Sequence, residues 1–366
     1  MESTLTLVYD GVDSSHLWNS STNNITYDMD LVEYEEVSQF LNLTRFIIPV
    51  LVGLITLFGL VGNIMTIAVF VLHKAIRGIT NTLIISLAAA DLLIIVFCIP
   101  FKAIYPVLHF WPLGDIWCRI HTYLEYVCYF ASMYTLVLIS LDRYIALVHP
   151  IRAIMLRTAQ NCYIALVALW SLVILGNIPF LFIAIEVKIN LGNFDEQRKV
   201  CTLQIENDYG SSICLFMFAY LLPLTLLCVL YGHMLKVFLT GKTPRAHNNG
   251  SHVRLQANKR VTKMAVLGVT VCVVCRLPLQ IIMLYTLVSE NKHVTVTIAS
   301  IAYAAKCMAY MNSCINPILY TFYTHTFRNG IKNMVCCRKT KHYTRASYRS
   351  VKCATYSSVI TTSFTT

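Results

Sequence analysis

The sequence predicts an all-α membrane protein: a bundle of seven transmembrane helices followed by a short amphipathic helix on the inner membrane surface. Composition and one pattern predict it. Of 366 residues, 57% are hydrophobic and only 13% are charged, against about a quarter charged in a typical soluble domain. The mean hydropathy is +0.62. Seven segments are each long enough, at about 1.5 Å of rise per residue, to cross a hydrocarbon core about 30 Å thick.

Along the chain, residues 1–45 hold eight acidic residues, one basic residue (Arg45) and three N-x-S/T sequons at Asn19, Asn24 and Asn42. That composition reads as an extracellular, glycosylated N-terminus. The start, "MESTLTLVYDG", has no basic n-region and no apolar h-region, so no cleavable signal peptide is expected. The transmembrane domain is expected over 46–323. Its first, fourth and fifth spans, Phe46–His73, Thr158–Ile185 and Tyr209–Leu235, contain no Asp, Glu, Lys or Arg. The second, third, sixth and seventh, near Ile79–Pro106, Ile116–Val148, Met264–Val288 and Val294–Tyr323, carry Asp91, Glu125, Arg276 and Lys306. Prolines at 100, 179, 223, 278 and 317 remove intrahelical hydrogen bonds and predict kinks. Kinked helices allow two packings of similar energy, as a switch requires.

The connections differ in character. "EVKINLGNFDEQRKVCTLQIEND" mixes charged and apolar residues as a lid or β-hairpin does. "GKTPRAHNNGSHVRLQANKR" is polar and rich in turn formers, which predicts a mobile centre. Over 324–337, Phe327, Ile331, Met334 and Val335 share a helical face away from Arg328 and Lys332, the pattern of a juxtamembrane amphipathic helix. Cys336 and Cys337 at its end are placed for palmitoylation, or are plain thiols. Residues 338–366, rich in Ser, Thr and basic side chains, read as a disordered cytoplasmic tail.

Charge sets the orientation. Segments 73–79, 143–157, 236–263 and 324–366, all on one side of a seven-span topology, hold 20 of the 29 Lys and Arg residues. The positive-inside rule makes that side cytoplasmic and the N-terminus extracellular, in a multi-pass membrane protein. The net charge of +11 is therefore a topology signal, not a nucleic-acid footprint. No internal repeat is apparent, which counts against the repeated architecture of many transporters. Most of the 14 cysteines fall inside spans as small hydrophobes. Cys118, opening the third span, and Cys201, in the second outer connection, instead face an oxidising compartment, where disulfides persist.

Charges inside the spans need partners. Asp91 in mid-membrane is a functional candidate by default, and Asn63, Ser132, Asn312 and Asn316 are polar residues able to share its cavity. Asp142 beside Arg143 at a cytoplasmic helix end can hold the guanidinium in a local ion pair. Release would let Arg143 meet the carbonyls of an inserted partner helix. A lone arginine there would read as snorkelling. Arg276 is the odd residue: an unpaired charge at the bilayer centre costs at least about 3 kcal/mol on insertion scales. Its candidate partners are Asp91, Glu125, backbone carbonyls and internal water.

Several motifs fall in one order. "GLVGNIMT" supplies Asn63 and "SLAAADLL" supplies Asp91. Cys118 and "SLDRYIALVHP" bracket the third span, with Asp142, Arg143 and Tyr144. Trp170 marks the fourth span, Pro223 and Tyr231 the fifth, "CRLP" the sixth, and "NSCINPILYTF" the seventh with Asn316, Pro317 and Tyr320. In this order and spacing, across every span, the chain resembles the rhodopsin-like (class A) G-protein-coupled receptors. "HFWPLGDIWCRI", "YTLVLISLDRYIALVHPIR" and "AYMNSCINPILYTFYTHTFR" are most similar to the allatostatin-A and galanin neuropeptide receptors.

That resemblance implies a Cys118–Cys201 disulfide. It implies a receptor for a short, amidated neuropeptide, with a pocket lined by Lys102, His121, Glu125, Gln280, Met283, Tyr285 and Lys306. Glu125 and Lys306 would face one another there as an ion pair, which a ligand touches or which is purely structural. Coupling and switching fall to Asp142, Arg143, Tyr144, Tyr231, Arg276, Pro278, Asn316, Pro317 and Tyr320. An allosteric sodium ion is implied at Asn63, Asp91, Ser132, Asn312 and Asn316, with no other cofactor or metal. The implied place is the plasma membrane, and the implied partners are a heterotrimeric G protein, of the inhibitory kind, arrestin, and the lipid bilayer itself. No catalysis is implied. Two residues depart from the family: Arg276 stands at the usual tryptophan, and Cys272 at the usual phenylalanine. The rival reading is an amine or orphan class A receptor with high ligand-free activity, since amine receptors carry aspartate at the place of Glu125. A transporter or channel is more remote.

Overall fold

The computed structural model describes residues 17–19, 24–27, 31–72, 78–108, 110–191, 196–203, 209–239, 249–288, 296–323, 327–328 and 331–332. Strands β1 (Leu17–Asn19) and β2 (Asn24–Tyr27) precede the first span, α1 (Leu31–Leu72). The second span is two helices, α2 (Ile79–Phe97) and α3 (Ile99–Leu108). It breaks at Cys98 because the Pro100 ring crowds the preceding turn and supplies no N–H. The third span is α4 (Gly114–Val148). Then comes α5 (Pro150–Leu156), whose first position suits a proline because that N–H has no helical acceptor. The fourth span, α6 (Ala159–Gly176), is capped by Thr158, which accepts from the Asn161 N–H.

A short α7 (Phe180–Ile183) leads into β3 (Ala184–Leu191) and β4 (Glu196–Leu203). The fifth span is α8 (Tyr209–Phe216), a π-turn over Met217–Leu221, and α9 (Leu222–Leu239). The sixth is α10 (Asn249–Val288) and the seventh α11 (Val296–Tyr323).

Among the described residues, six spans are long and apolar enough to cross a bilayer: Asn42–Leu72, Ile79–Ile104, Gly114–Val148, Ala159–Ile183, Ile213–Val237 and Ala265–Tyr285. The seventh, α11, has 28 residues, about 42 Å of helix. Lys306, Asn312, Ser313 and Asn316 lower its hydropathy, and the last three are buried within the bundle. Phe46, Val50, Leu54 and Phe58 leave α1 as an exposed apolar stripe, while Val52, Ile55, Asn63 and Thr66 turn inward. That inside-out pattern suits lipid. The helix α10 begins fifteen residues before Met264, where the sequence predicts the span. "VRLQANKR" is mostly good helix formers, with only Val253 and Asn258 weaker, so the polar approach to the membrane is helical too.

The all-α expectation needs one correction. The strands form a sheet of order β1-β2-β3-β4. The β3–β4 pair is the antiparallel hairpin that the loop composition suggests, in register from Ala184↔Leu203 to Leu191↔Glu196. Ile185 and Val187 alternate with Glu186 and Lys188, the period-two pattern of a half-buried strand. The N-terminal segment adds β2 in parallel to β3, with Asn24 opposite Lys188. Neither β1 nor β2 carries a run long enough to announce it.

Two glycines and two prolines set the interior. A Cβ on Gly59 would lie 2.7 Å from Ile95, and one on Gly62 2.9 Å from Pro317, so α1 reaches α2 and α11 only because both are glycine. Pro317 donates no N–H to Ser313, and the freed carbonyl accepts from Asn63 Nδ2 at 2.9 Å. Pro223 likewise donates to neither Phe218 nor Ala219. Their carbonyls accept from the hydroxyls of Tyr134 (2.8 Å) and Tyr129 (3.0 Å) on α4. At these two prolines the helical bond that is lost gives way to bonds between helices.

Of the expected eighth helix, Phe327–Arg328 and Ile331–Lys332 are helical. Phe327 is buried, 5.8 Å from the Phe70 ring and 6.2 Å from Tyr320, with Ile331 against the same cluster. Arg328 and Lys332 are exposed. Met334, Val335, Cys336, Cys337 and the tail 338–366 lie outside the described residues.

Candidate functional site

One end of the bundle is covered by the hairpin. A disulfide joins Cys118, in the first turns of α4, to Cys201 of β4. Trp111 is buried against it; its backbone N–H donates to the Lys199 carbonyl at 2.7 Å and its indole to Gly114 at 3.0 Å. Gly114 has φ of 78°, a left-handed conformation that glycine adopts without strain. Two residues the sequence reading missed fix the root of the hairpin. Arg119 donates to Asp115 (2.7 Å) and to the carbonyls of Leu181 (3.1 Å) and Phe182 (3.2 Å). Asp115 accepts from the Glu186 N–H at 2.9 Å. Their i,i+4 spacing beside Cys118 was the available signal.

Beneath the hairpin lies a half-buried charged cluster, and its pairing corrects the sequence reading. Glu125 pairs with Lys102 at 3.2 Å, not with Lys306. The break at Cys98 re-aims α3, which brings Lys102 across to α4. Tyr310 donates to the other Glu125 oxygen at 3.4 Å. Lys306 sits one helical turn away, its Nζ 5.9 Å from the Tyr303 ring.

Two expected pocket residues point elsewhere. His121 is fully buried between Phe101 and Trp111, with Nε2 at 3.2 Å from the Cys98 carbonyl. It belongs to the packing beneath the hairpin. Tyr285 is 46% exposed and shares the lipid-facing side of α10 with Val274, Leu277 and Ile281. Met283 is half-buried and Gln280 buried, on the side turned inward.

Arg276 lies on that inward side. Its guanidinium carbon is 4.0 Å above the Tyr129 ring, a cation–π contact in a desolvated place. Asp91 attracts it electrostatically, but the hydrogen bonds of Asp91 come from Asn316 Nδ2 (2.8 Å) and Ser132 Oγ (3.5 Å). Of the other residues expected around Asp91, Asn63 donates Nδ2 to the Gly59 and Ser313 carbonyls, while its Oδ1 and the Nδ2 of buried Asn312 have no partner among the described residues.

At the far end of α4, Asp142 holds Arg143 in the adjacent ion pair that the sequence suggests, both buried. The cage is larger than that pair. Thr80 of α2 donates to Asp142 at 2.9 Å and accepts from Arg143, and Arg157 donates to both Asp142 oxygens at 2.6 and 3.2 Å. One carboxylate thus restrains two guanidiniums. Tyr231 of α9 reaches Ser140 at 2.7 Å, and Tyr144 stacks edge-on with His149. Tyr320 and Pro317 are buried in α11, while Pro278 lies half-buried inside α10.

A polar track thus runs from the Lys102–Glu125 pair, past Arg276 and Asp91, to the caged Arg143. A chain with this interior and a lipid-suited exterior is a helical membrane receptor. Residues 62–320 match the family described as 7 transmembrane receptor (rhodopsin family). The chain belongs to that family, whose members are receptors and not enzymes. It is 36% identical over 294 residues to the allatostatin-A receptor of Bombyx mori, covering 80% of each chain. It is 31% identical over 304 residues to galanin receptor 2b of Danio rerio, covering 82% of this chain and 78% of that one. With galanin receptor type 2 of Homo sapiens it shares 30% over 295 residues, 79% and 72% of the two chains.

Proposed function

We propose that this chain is a plasma-membrane receptor for a short, amidated neuropeptide that signals through a heterotrimeric G protein, of the inhibitory kind. The observation that carries the reading is the half-buried Lys102–Glu125–Tyr310 cluster under a disulfide-anchored hairpin. It offers both charges to a peptide, and the similar receptors named above are receptors for allatostatin-A and galanin. An amine ligand is less well served, because it would engage only the Glu125 carboxylate and strand the ammonium of Lys102 that now pairs with it.

The disulfide end faces outward, since disulfides persist in oxidising compartments, and the basic end faces the cytoplasm. Glycans at Asn19, Asn24 and Asn42 belong to the outer side, and arrestin, like the G protein, to the inner. Binding shifts the bundle between two packings. At the inner end Arg143 leaves Asp142 and Thr80 and meets the carbonyls of the inserted partner helix. A sodium ion suits the donor chemistry near Asp91: its carboxylate, Ser132 Oγ and the unpartnered Asn63 Oδ1 are hard oxygens.

The test is to express the full chain and expose it to a panel of amidated peptides, allatostatin-A and galanin peptides among them, alongside biogenic amines. Nucleotide exchange on inhibitory, stimulatory and phospholipase-coupled G proteins is then read. Response to amines alone overturns the peptide reading, and ion flux independent of any G protein overturns the receptor mechanism.

A further inference from the structure

The inward face of α10 carries two buried polar atoms with no hydrogen-bond partner among the described residues, Arg276 Nε and Gln280 Oε1. Arg276 is 5% exposed and Gln280 3%. Burying an amide or a guanidinium N–H without a partner is unfavourable, so such atoms are uncommon in finished interiors. Contact with Tyr129 does not relieve Arg276. The guanidinium carbon lies over the ring at 4.0 Å, which stabilises the charge. A ring face is not a conventional acceptor, and Nε keeps no hydrogen-bond partner among the described residues.

The two atoms are complementary in kind. One is a donor and the other an acceptor, and residues four apart on a helix have Cβ atoms about 6 Å apart on one face. A primary carboxamide presents a carbonyl oxygen and an NH2 group side by side. Its two groups are complementary to the pair, the oxygen to the Arg276 Nε–H and the NH2 to Gln280 Oε1, at ordinary hydrogen-bond lengths of about 2.9 Å. A carboxylate would meet Arg276 well but would set a second acceptor against Gln280 Oε1.

We infer that Arg276 and Gln280 form a carboxamide-binding subsite below the Lys102–Glu125 cluster, Arg276 donating to the carbonyl of the bound group and Gln280 accepting from its NH2. This rests on the peptide reading above and deepens it. The carboxamide is either the C-terminal amide of the peptide or the side chain of an Asn or Gln within it.

The experiment uses the full chain in cells and an allatostatin-A peptide made in three forms: C-terminal carboxamide, free acid and dimethylamide. A fourth peptide keeps the terminal amide but has each Asn or Gln replaced by Ala. Receptors are wild type, Gln280→Leu, Gln280→Glu and Arg276→Lys, compared at equal surface density. On wild type, the carboxamide is expected to be more potent than the acid by about tenfold or more, as for loss of a bond to a buried polar group. Gln280→Leu shrinks that ratio, while Gln280→Glu keeps the amide and rejects the acid further. If potency survives loss of the terminal amide but falls with the Ala peptide, the side chain is the source, and the Gln280→Leu effect is then read on the ratio between the parent and the Ala peptide. If the receptor responds and Gln280→Leu and Arg276→Lys both leave the ratio unchanged, the subsite is wrong and the two side chains bond each other. Silence toward all forms refutes the peptide reading and this inference with it.

Discussion

Consider neutralising Lys102. Its Nζ lies 3.2 Å from Glu125, and the two side chains are 18% and 13% exposed. Two unit charges at that distance attract by about 5 kcal/mol at an effective dielectric constant near 20. Partial desolvation of both groups offsets much of this, so a coupling of about 1–3 kcal/mol is expected. That corresponds to about 5- to 150-fold in an equilibrium. The cycle is Lys102→Met, Glu125→Gln and the double variant, read as thermal stability of solubilised receptor and as potency of an activating peptide. Each single change strands a buried charge, so each is expected to be damaging, and the double variant less damaging than their sum. A parallel cycle with Lys306→Met and Glu125→Gln is expected to be additive. Additivity in the first cycle and coupling in the second would refute the pairing seen here and restore the one the sequence suggests.

Four other outcomes are expected. Cys118→Ala and Cys201→Ala each free the hairpin from α4 and lower surface expression or peptide binding sharply; normal binding by both contradicts this. Arg143→Ala keeps peptide binding but loses nucleotide exchange, whereas Arg157→Ala leaves Asp142 wholly to Arg143 and lowers ligand-free exchange; raised basal exchange in the second variant would count against the shared cage. Asn63→Ala leaves the buried Ser313 carbonyl unpaired and lowers stability by about 1–3 kcal/mol, seen as a fall in Tm of the solubilised receptor; an unchanged Tm rejects the role of Asn63. Arg276→Trp removes the positive charge that acts on Asp91, where a guanidinium and a sodium ion would compete for one carboxylate, and increases the effect of sodium on agonist affinity; equal sodium dependence in both forms sinks that competition.

Much of this architecture is legible in the residues. Stretches without charge announce the spans, and the Asp142–Arg143 dipeptide and the Cys118–Cys201 pair stand where their motifs put them. Lys102 escaped as the partner of Glu125 because a helix break, not a spacing, brings it across. Arg157 escaped for a related reason: it reaches Asp142 from the next connection, and nothing local marks it. Tyr285 is different, since the signal was present. Val274, Leu277, Ile281 and Tyr285 follow one another at helical spacing, opposite Arg276 and Gln280, so face and not depth should have decided its place. The strands β1 and β2 are three and four residues long, too short to show a period.

The carbonyls released by Pro223 and Pro317 bear on how the chain is made. A span entering the bilayer alone cannot satisfy them, and an unpaired carbonyl in hydrocarbon is worth several kcal/mol against insertion. The hydroxyl that meets Ala219 belongs to a residue synthesised 90 positions earlier, and the amide that meets Ser313 to one synthesised 250 positions earlier. Both acceptors therefore emerge from the ribosome after their donors are already in the membrane. The seventh span, the most polar of the set, is thus the one whose entry most needs a waiting bundle. Shortened chains ending before it should sit comfortably in lipid, while the same span presented by itself should slip back out.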